Sequence, residues 1–431
     1  MPPAVSKQFI YIVQASKEPI SCKIGKTDDL ERRLKEYNNM TGKSKSNIYQ
    51  FLFSCEVKDM AKVENDIKKQ FPMLREQNSK EVYFYNEKLF EGYVNFIKGH
   101  KLFVREVYIK QPDKKQIVKI VKKTTPTLEE RGVTRKELLQ KAQKVNNDEF
   151  YTRYEDVEKE LSMYNKNVWK NKTVFCNCDD PVDDDEKNTS AFALYFLRNF
   201  NALELKKLIC THYAGPVDLF NQGPVGYVFT KTGYNKINEA KDYPKGFTGS
   251  FDDPLSLKIL REDADIVCTN PPFSIAIEYW KTVVESGKKF LIISGQTNPI
   301  TKAFIPYFKD KKAWAGHNRV DWFLNRKKEI TSNPCFWYTN IKITNRPSYK
   351  HLKIMPLKEI PDKYKRFDDS KVLLMDKCYI PNDYKKPFAI SCHPILSGVL
   401  EKGYKIVDKD WSYIAFVNGK QCFRRALVRK E

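Results

Sequence analysis

The sequence predicts an α/β protein: a small α+β module, a basic connection, and a larger doubly wound domain that ends in a C-terminal extension. Three observations carry this. An apolar, β-branched run at Ala264–Thr269 stops at Asn270-Pro271-Pro272-Phe273, and a helical stretch and a second run at Lys289–Ile293 follow it as a βαβ unit. The first hundred residues alternate short β-branched runs with helical spacings. Between Lys110 and Lys144, eleven Lys or Arg face four acidic residues, with Pro112 and Pro126 interrupting. A length of 431 residues allows two or three domains, each with its own core.

The βαβ unit sets the chemistry. Neither proline can donate to a ladder, and the residue before each is pushed out of the helical region, so the strand ends there. Ser274 is placed to cap a helix from Ile275 to Glu285, with Gly287 just past its end. The rigid knuckle lies at the carboxyl end of its strand, where α/β sheets place their chemistry. A backbone carbonyl and the Asn270 amide oxygen can converge there on one amino group and keep its lone pair off the ring. Phe273 can stack on a base swung out of a helix. In this setting N-P-P-F resembles the motif of DNA amino-methyltransferases, which act on adenine N6 or cytosine N4. The plain alternative is a proline-stopped strand with an incidental Asn.

Lys and Arg number 76 against 54 Asp and Glu, a net charge of +22 spread along the chain. Such a surplus favours a polyanion such as nucleic acid, with double-stranded DNA the partner that the resemblance implies, although a lysine-rich composition alone would give the same count. Ten cysteines are scattered without regular spacing, and there is no signal peptide or long apolar segment. They read as reduced thiols of an intracellular, cytoplasmic protein with no membrane association. Cys176/Cys178 and Cys392-His393 are too sparse for a zinc site, so no structural metal is expected. The oligomeric state is not readable.

In the N-terminal module, Phe9–Val13 and Ser21–Gly25 form a hairpin. A helix capped by Thr27 or Asp28 carries Leu30, Arg33, Leu34 and Tyr37. A second helix, Met60–Phe71, carries Val63, Ile67 and Phe71 on one face with Glu64 beside them, and Glu81–Tyr85 closes the sheet. The order resembles a GIY-YIG module, a nuclease fold. The resemblance implies that Tyr11 helps activate water, Arg33 holds the scissile phosphate and Glu64 ligates Mg²⁺, with Tyr37 where many relatives keep a helix tyrosine or histidine. The chain departs from the pattern in reading Phe-Ile-Tyr at the first motif and Lys23-Ile24-Gly25 at the second. Lys23 could steady a phosphate or depress a neighbouring tyrosine. This K-I-G form also occurs in relatives described as DNA-binding modules.

The linker could track DNA phosphates or serve as a solvated spacer. A strand is expected over Gln116–Val121, and a helix over Leu128–Lys144. The second domain opens with Asp148-Glu149-Phe150-Tyr151-Thr152 and a helical stretch to Tyr164 with Val157 and Leu161 inward. A strand Thr173–Cys178 then meets Asp179-Asp180-Pro181. D-E-F-Y-T, C-N-C-D-D-P and N-P-P-F, followed by Lys288–Ile293, Phe336–Asn340 and Ile380–Tyr384, resemble the EcoRI-type adenine-specific DNA methyltransferases, with the elements in family order. The resemblance implies a Rossmann-like core that uses S-adenosylmethionine. Asp179, Asp180 and Pro181 would lie toward the ammonium and sulfonium, and Phe150, Tyr151 and Thr152 over the methionine part. Where the family has roughly Gly-Asp-Phe, this chain has Gly249-Ser250-Phe251, so Asp252 or Asp253 would have to supply the carboxylate near the adenine. Strand two ends Thr211-His212-Tyr213, with no acid for the ribose.

The expected domains are 1–104 (GIY-YIG-like), 105–147 (linker), 148–348 (methyltransferase core) and 349–431 (target recognition). Trp337 or Tyr338 would form a second wall for the flipped base, with Arg319, Arg326, Lys327 and Lys328 among Trp322 and Phe323 meeting the DNA. Three functions fit: a methyltransferase fused to an Mg²⁺-dependent nuclease, a methyltransferase with a silent DNA-binding module, and a non-enzymatic DNA-binding protein on a decayed methylase fold.

Overall fold

The computed structural model describes residues 7–16, 21–40, 48–77, 79–110, 150–179, 190–213, 226–237, 249–325, 329–343, 351–407 and 413–431. The expected linker strand and helix, Asp148, Glu149, Asp180, Pro181 and Arg326–Lys328 lie outside the described residues. The chain divides into two compact units: Met1–Lys144 with Pro181–Thr189 and Asn221–Lys245, and the remainder to Glu431.

In the first unit, strand Phe9–Ala15 pairs antiparallel with Ser21–Thr27 on one side and Tyr49–Val57 on the other. Val82–Phe84 and Phe103–Glu106 extend the two edges, giving a five-stranded sheet. Helix Leu30–Met40 buries Leu30, Leu34 and Tyr37 against Phe9, Tyr11, Val13 and Phe51. Its cap is neither Thr27 nor Asp28. Asp29 Oδ1 accepts from the Arg32 amide at 3.0 Å, while the Thr27 hydroxyl turns the chain by accepting from the Asp29 amide. Asp28 is drawn off by the Arg32 guanidinium, 2.6 Å away. Helix Met60–Gln70 is capped by Asp59. Phe71 falls just beyond that helix, with its ring edge-on to Tyr93 and Phe96 of helix Glu87–Lys98.

A hairpin from much later in the chain, Gly226–Thr230 with Gly233–Lys236, belongs to this unit. Phe84 meets the rings of Tyr227, Phe229 and Tyr234 edge-on at 5.1–5.6 Å. The Tyr234 amide donates to the Arg75 carbonyl, and the Gln77 amide to the Tyr234 carbonyl. Backbone bonds and a buried aromatic cluster therefore fix the hairpin.

The second unit is organised by strands in the order Trp314–Leu324, Ile330–Thr339, Lys289–Gly295, Ile266–Thr269, Thr173–Asn177 and Lys207–Thr211. The last four are mutually parallel, and the first two are antiparallel additions. All residues of Thr173–Asn177 and Ile266–Thr269 are buried, as a parallel sheet covered on both faces requires. From Thr173–Asn177 the order runs one way to Lys207–Thr211 and the other way to Ile266–Thr269, so these two neighbours mark the switch point at which α/β sheets open a crevice. Helix Ala276–Glu285 turns Trp280 into a cluster of Phe290, Phe304, Phe308 and Tyr338. That helix does not begin at a Ser274 cap. Phe273–Ile275 form a 3₁₀ turn, and the N-cap position falls on Ile275, which makes no side-chain capping bond. The C-terminal part is β-rich, with a five-stranded sheet of Lys365–Phe367, Leu373–Met375, Phe388–Ile390, Ala426–Lys430 and Tyr404–Ile406.

Candidate active site

The parallel strands deliver two segments to the switch point. After Asn177 the backbone enters the left-handed region at Cys178 (φ 80°), a conformation that costs a non-glycine residue of order 1 kcal/mol. The turn is held by the Cys178 amide donating to the Thr211 carbonyl at 3.0 Å. It delivers Asp179 to the neighbouring strand end. Asp179 Oδ2 accepts from the Asn270 amide at 2.9 Å and from the Thr269 hydroxyl at 2.6 Å, and Oδ1 accepts from the Ser190 hydroxyl at 3.1 Å. One carboxylate thus ties the first strand, the helix start at Ser190 and the Asn-Pro-Pro knuckle together. Both of its oxygens are engaged within the protein.

The Asn270 side chain has one satisfied end and one open end. Its Nδ2 donates to the Phe150 carbonyl at 2.6 Å, which fixes the orientation of the amide, because an oxygen there would face another oxygen. Its Oδ1 is buried without a partner. Such an acceptor costs about 1–3 kcal/mol, recoverable by an N–H donor that enters. Phe273 packs on Phe150 at 5.3 Å, and Phe150 on Phe323 at 5.9 Å, so three rings wall the knuckle. Tyr151 is pinned by paired backbone bonds with Leu324 at 2.8 and 2.9 Å. Thr152 is buried, and its hydroxyl has no partner. Phe251 packs on Tyr279 at 5.4 Å, and the Tyr279 hydroxyl is also buried and partnerless. Burial, with Cys178 and Asp179 nearby, pushes that phenol well above its ordinary range and keeps it a neutral donor. Asp252 is exposed and accepts from the Ser250 hydroxyl.

These residues fit S-adenosylmethionine by the chemistry they offer. Two orphaned hydroxyls, one carboxylate and the Phe150 and Phe251 rings match a ligand with an ammonium, a carboxylate, a ribose and an adenine. The expected second wall is not formed by Trp337 or Tyr338. Trp337 is fully buried against Phe192, and the Tyr338 hydroxyl donates to the Gly295 carbonyl from inside the Trp280 cluster. Both side chains are taken up by the interior and offer no free face to a base. Phe323 is buried too, whereas Trp322 is half exposed and Arg319 pairs with Asp321. The Asp179 clamp and the Tyr279 hydroxyl were missed in the sequence. The left-handed Cys178 gives no sequence signal, but a buried tyrosine one helical turn after an N-P-P-F knuckle does.

The first unit carries a separate cluster. The Tyr11 hydroxyl lies 3.0 Å from the Tyr37 hydroxyl and accepts from Arg33 Nε at 3.0 Å. Arg33 also reaches Glu36 at 3.0 Å and lies over the Tyr37 ring at 4.9 Å. Burial beside Tyr11 pushes the Tyr37 phenol up, and the bond to Tyr11 raises the Arg33 guanidinium further, so both keep their protons. Lys23 Nζ sits 5.5 Å from the Tyr37 ring centre and 5.7 Å from that of Tyr49. Tyr11 is paired across the sheet with Gly25, where an added Cβ would lie 2.5 Å from the Tyr11 oxygen. Only glycine admits the ring. Glu64 is buried between Lys26 and Lys68 at 3.1 and 3.2 Å. Among the described residues, no group of three or more His, Cys, Asp or Glu side chains gathers to hold a metal. None of the ten cysteines forms a disulfide, and no helix is long and apolar enough to cross a membrane among the described residues.

Comparison with known proteins follows this division. Residues 8–105 match the T5orf172 domain, and residues 138–396 match the family model of the adenine-specific methyltransferase EcoRI. The Type II methyltransferase M.EcoRI of Escherichia coli is 30% identical over 339 residues, covering 70% of this chain and 98% of that protein. M.MgeORF184P of Mycoplasma genitalium is 34% identical over 205 residues, 48% of this chain and 57% of the relative. M.MpnI of Mycoplasma pneumoniae is 33% identical over 177 residues, 41% and 50% respectively. No solved structure matches significantly. With a match over more than half its length and a relative covered almost end to end, the chain belongs to the EcoRI family of adenine-specific DNA methyltransferases.

Proposed function

We propose that this enzyme methylates adenine N6 within a specific duplex sequence at the Asn270-Pro271-Pro272-Phe273 knuckle. The partnerless, buried Asn270 Oδ1 carries the proposal, because it is an acceptor fixed in place and waiting for an amine hydrogen. Bound S-adenosylmethionine supplies an electrophilic methyl on a positively charged sulfur. Asn270 Oδ1 and the Pro271 carbonyl accept the two amine hydrogens, leaving the nitrogen lone pair free of the ring and directed at the methyl. Phe273, backed by Phe150, stacks on the extruded base, worth about 1–3 kcal/mol against an extrusion cost of a few. The Asp179 carboxylate holds the knuckle, and its negative charge at the strand end favours the cationic end of the cofactor. Phe150, Tyr151, Thr152, Asp179, Asp180, Pro181, Phe251 and Asp252 form the cofactor pocket of a Rossmann-like core. Positioning in a dry site does most of the work.

Residues 1–104, 105–147, 148–348 and 349–431 serve as nuclease-like module, linker, core and target-recognition region, and ten cysteines without a disulfide fit a reducing, intracellular site of action. In the first module, GIY-YIG-like in design, Arg33 would grip a scissile phosphate, Tyr11, Lys23 and Tyr37 would surround it, and Glu64 would take Mg²⁺. The lysine pairs on Glu64 favour a second reading in which this module binds DNA without cutting it.

The test is transfer of labelled methyl to unmethylated DNA. Asn270→Ala should abolish transfer while DNA affinity stays within about twofold, and retained transfer overturns the site. Nicking of the same DNA with Mg²⁺, lost in Arg33→Ala, decides between the two readings of the first module.

A further inference from the structure

A cleft of 1080 Å³ lies in the second unit between the carboxyl end of strand Lys289–Gly295 and the C-terminal sheet. One wall is Gln296, Thr297 and Thr301, which follow the strand neighbouring the Asn270 strand, on the same edge of the parallel sheet. The opposite wall holds Tyr364 and Tyr379, stacked at 4.6 Å and 14°. Three lysines surround this pair. Lys353 lies 4.9 Å from the Tyr379 ring, and Lys363 and Lys377 each lie 5.1 Å from the Tyr364 ring. Phe423 also lines the cleft and is 92% exposed, an unusual cost for a phenylalanine unless something covers it. Two polar atoms in the walls, Gln296 Oε1 and Ser391 Oγ, are buried without partners. Beneath them Arg425 is almost completely buried, donating to the Met375 carbonyl at 2.8 Å and to Asp376 at 2.6 Å, so the floor is rigid.

We propose that this cleft is the sequence-reading surface, and that it takes the duplex next to the target adenine. The inference rests on the assignment of the C-terminal part to target recognition and names the residues that perform it. The occupant follows from charge and ring chemistry. Cations around an aromatic stack suit phosphates beside bases, and an exposed ring such as Phe423 suits stacking on an unstacked base or wedging between a pair. Gln296 lines the cleft with its Oε1 buried and unpartnered, so its amide suits a base edge that enters the cleft and supplies a donor, as adenine N6 does.

The experiment uses the full chain and a duplex library randomised around a central adenine. Binding is followed by anisotropy across salt, and methylated products are sequenced. The triple Lys353→Ala, Lys363→Ala, Lys377→Ala variant should bind all sequences more weakly, its log–log salt slope falling by about 0.9 for each lysine that meets a phosphate. Gln296→Ala should still methylate but relax the preference at one position by about tenfold or more, and Phe423→Ala should lower affinity with the Asn270 site intact. An unchanged salt slope together with an unchanged methylated sequence in all three variants overturns the proposal. Because binding is read apart from transfer, a wild-type enzyme that binds the library and transfers no methyl would count against the catalytic reading and leave the cleft to be judged on the slopes.

Discussion

At the residue scale, the proposed methylase site depends on three fixed orientations: Asn270 by the Phe150 carbonyl, the knuckle by Asp179, and Asp179 itself by the turn at Cys178. Asp179→Asn preserves an oxygen for the Thr269 and Asn270 donors and turns an amine to the Ser190 hydroxyl, which can accept. Its melting temperature should stay near wild type while cofactor affinity, measured calorimetrically, falls at least tenfold. Asp179→Ala orphans the Asn270 amide and should lose about 1–3 kcal/mol of stability as well. Glu160 shows the opposite use of a buried carboxylate. It accepts from the His317 and Asn318 amides, the Asn318 side chain and the Tyr164 hydroxyl at 2.8–2.9 Å. Burial pushes its carboxyl up, and these four donors hold the rise to about 7. Its folded value lies above the unfolded one, so the stability it contributes is present below about pH 4.3 and is lost as pH rises through 7. Thermal melting of the wild type should therefore decline between about pH 5 and 8. Glu160→Gln, which cannot titrate, should start lower and lose that slope.

At the element scale, what was legible in the sequence was local. The strand Ile266–Thr269 and its proline stop follow from five or six adjacent residues, and the Tyr11–Gly25 hairpin from two short β-branched runs. What escaped was non-local. Asp179 and Asn270 are 91 residues apart, and no spacing rule pairs them. Trp337 and Tyr338 were expected to face a base because aromatic residues at a motif suggest one, yet both side chains are fully buried. Strand Tyr49–Val57 was readable from its alternation and was passed over. The hairpin Gly226–Lys236 gave no sign that it would pack on Phe84. Phe84→Ala should destabilise the first unit by about 3–5 kcal/mol, as for other buried aromatic truncations, read as the loss or downward shift of one transition in calorimetry. Gly25→Ala should likewise destabilise that unit, because the Tyr11 ring has nowhere to move between two paired strands.

At the scale of the whole molecule, a net charge of +22 favours a polyanionic partner. Affinity for any duplex should fall steeply with salt, as counterion release demands. The proposed methyltransferase site keeps a buried acceptor open at Asn270, while the first unit shows an ordered Tyr–Arg–Tyr cluster and, apart from it, Glu64 neutralised by two lysines. The central claim is the chemistry at Asn270. Unmethylated genomic DNA incubated with S-adenosylmethionine and the wild-type protein, then sequenced as single molecules, should carry N6-methyladenine at one short recurrent sequence and none after treatment with Asn270→Ala. Modification at cytosine N4, or N6-methyladenine that persists with the variant, would contradict it.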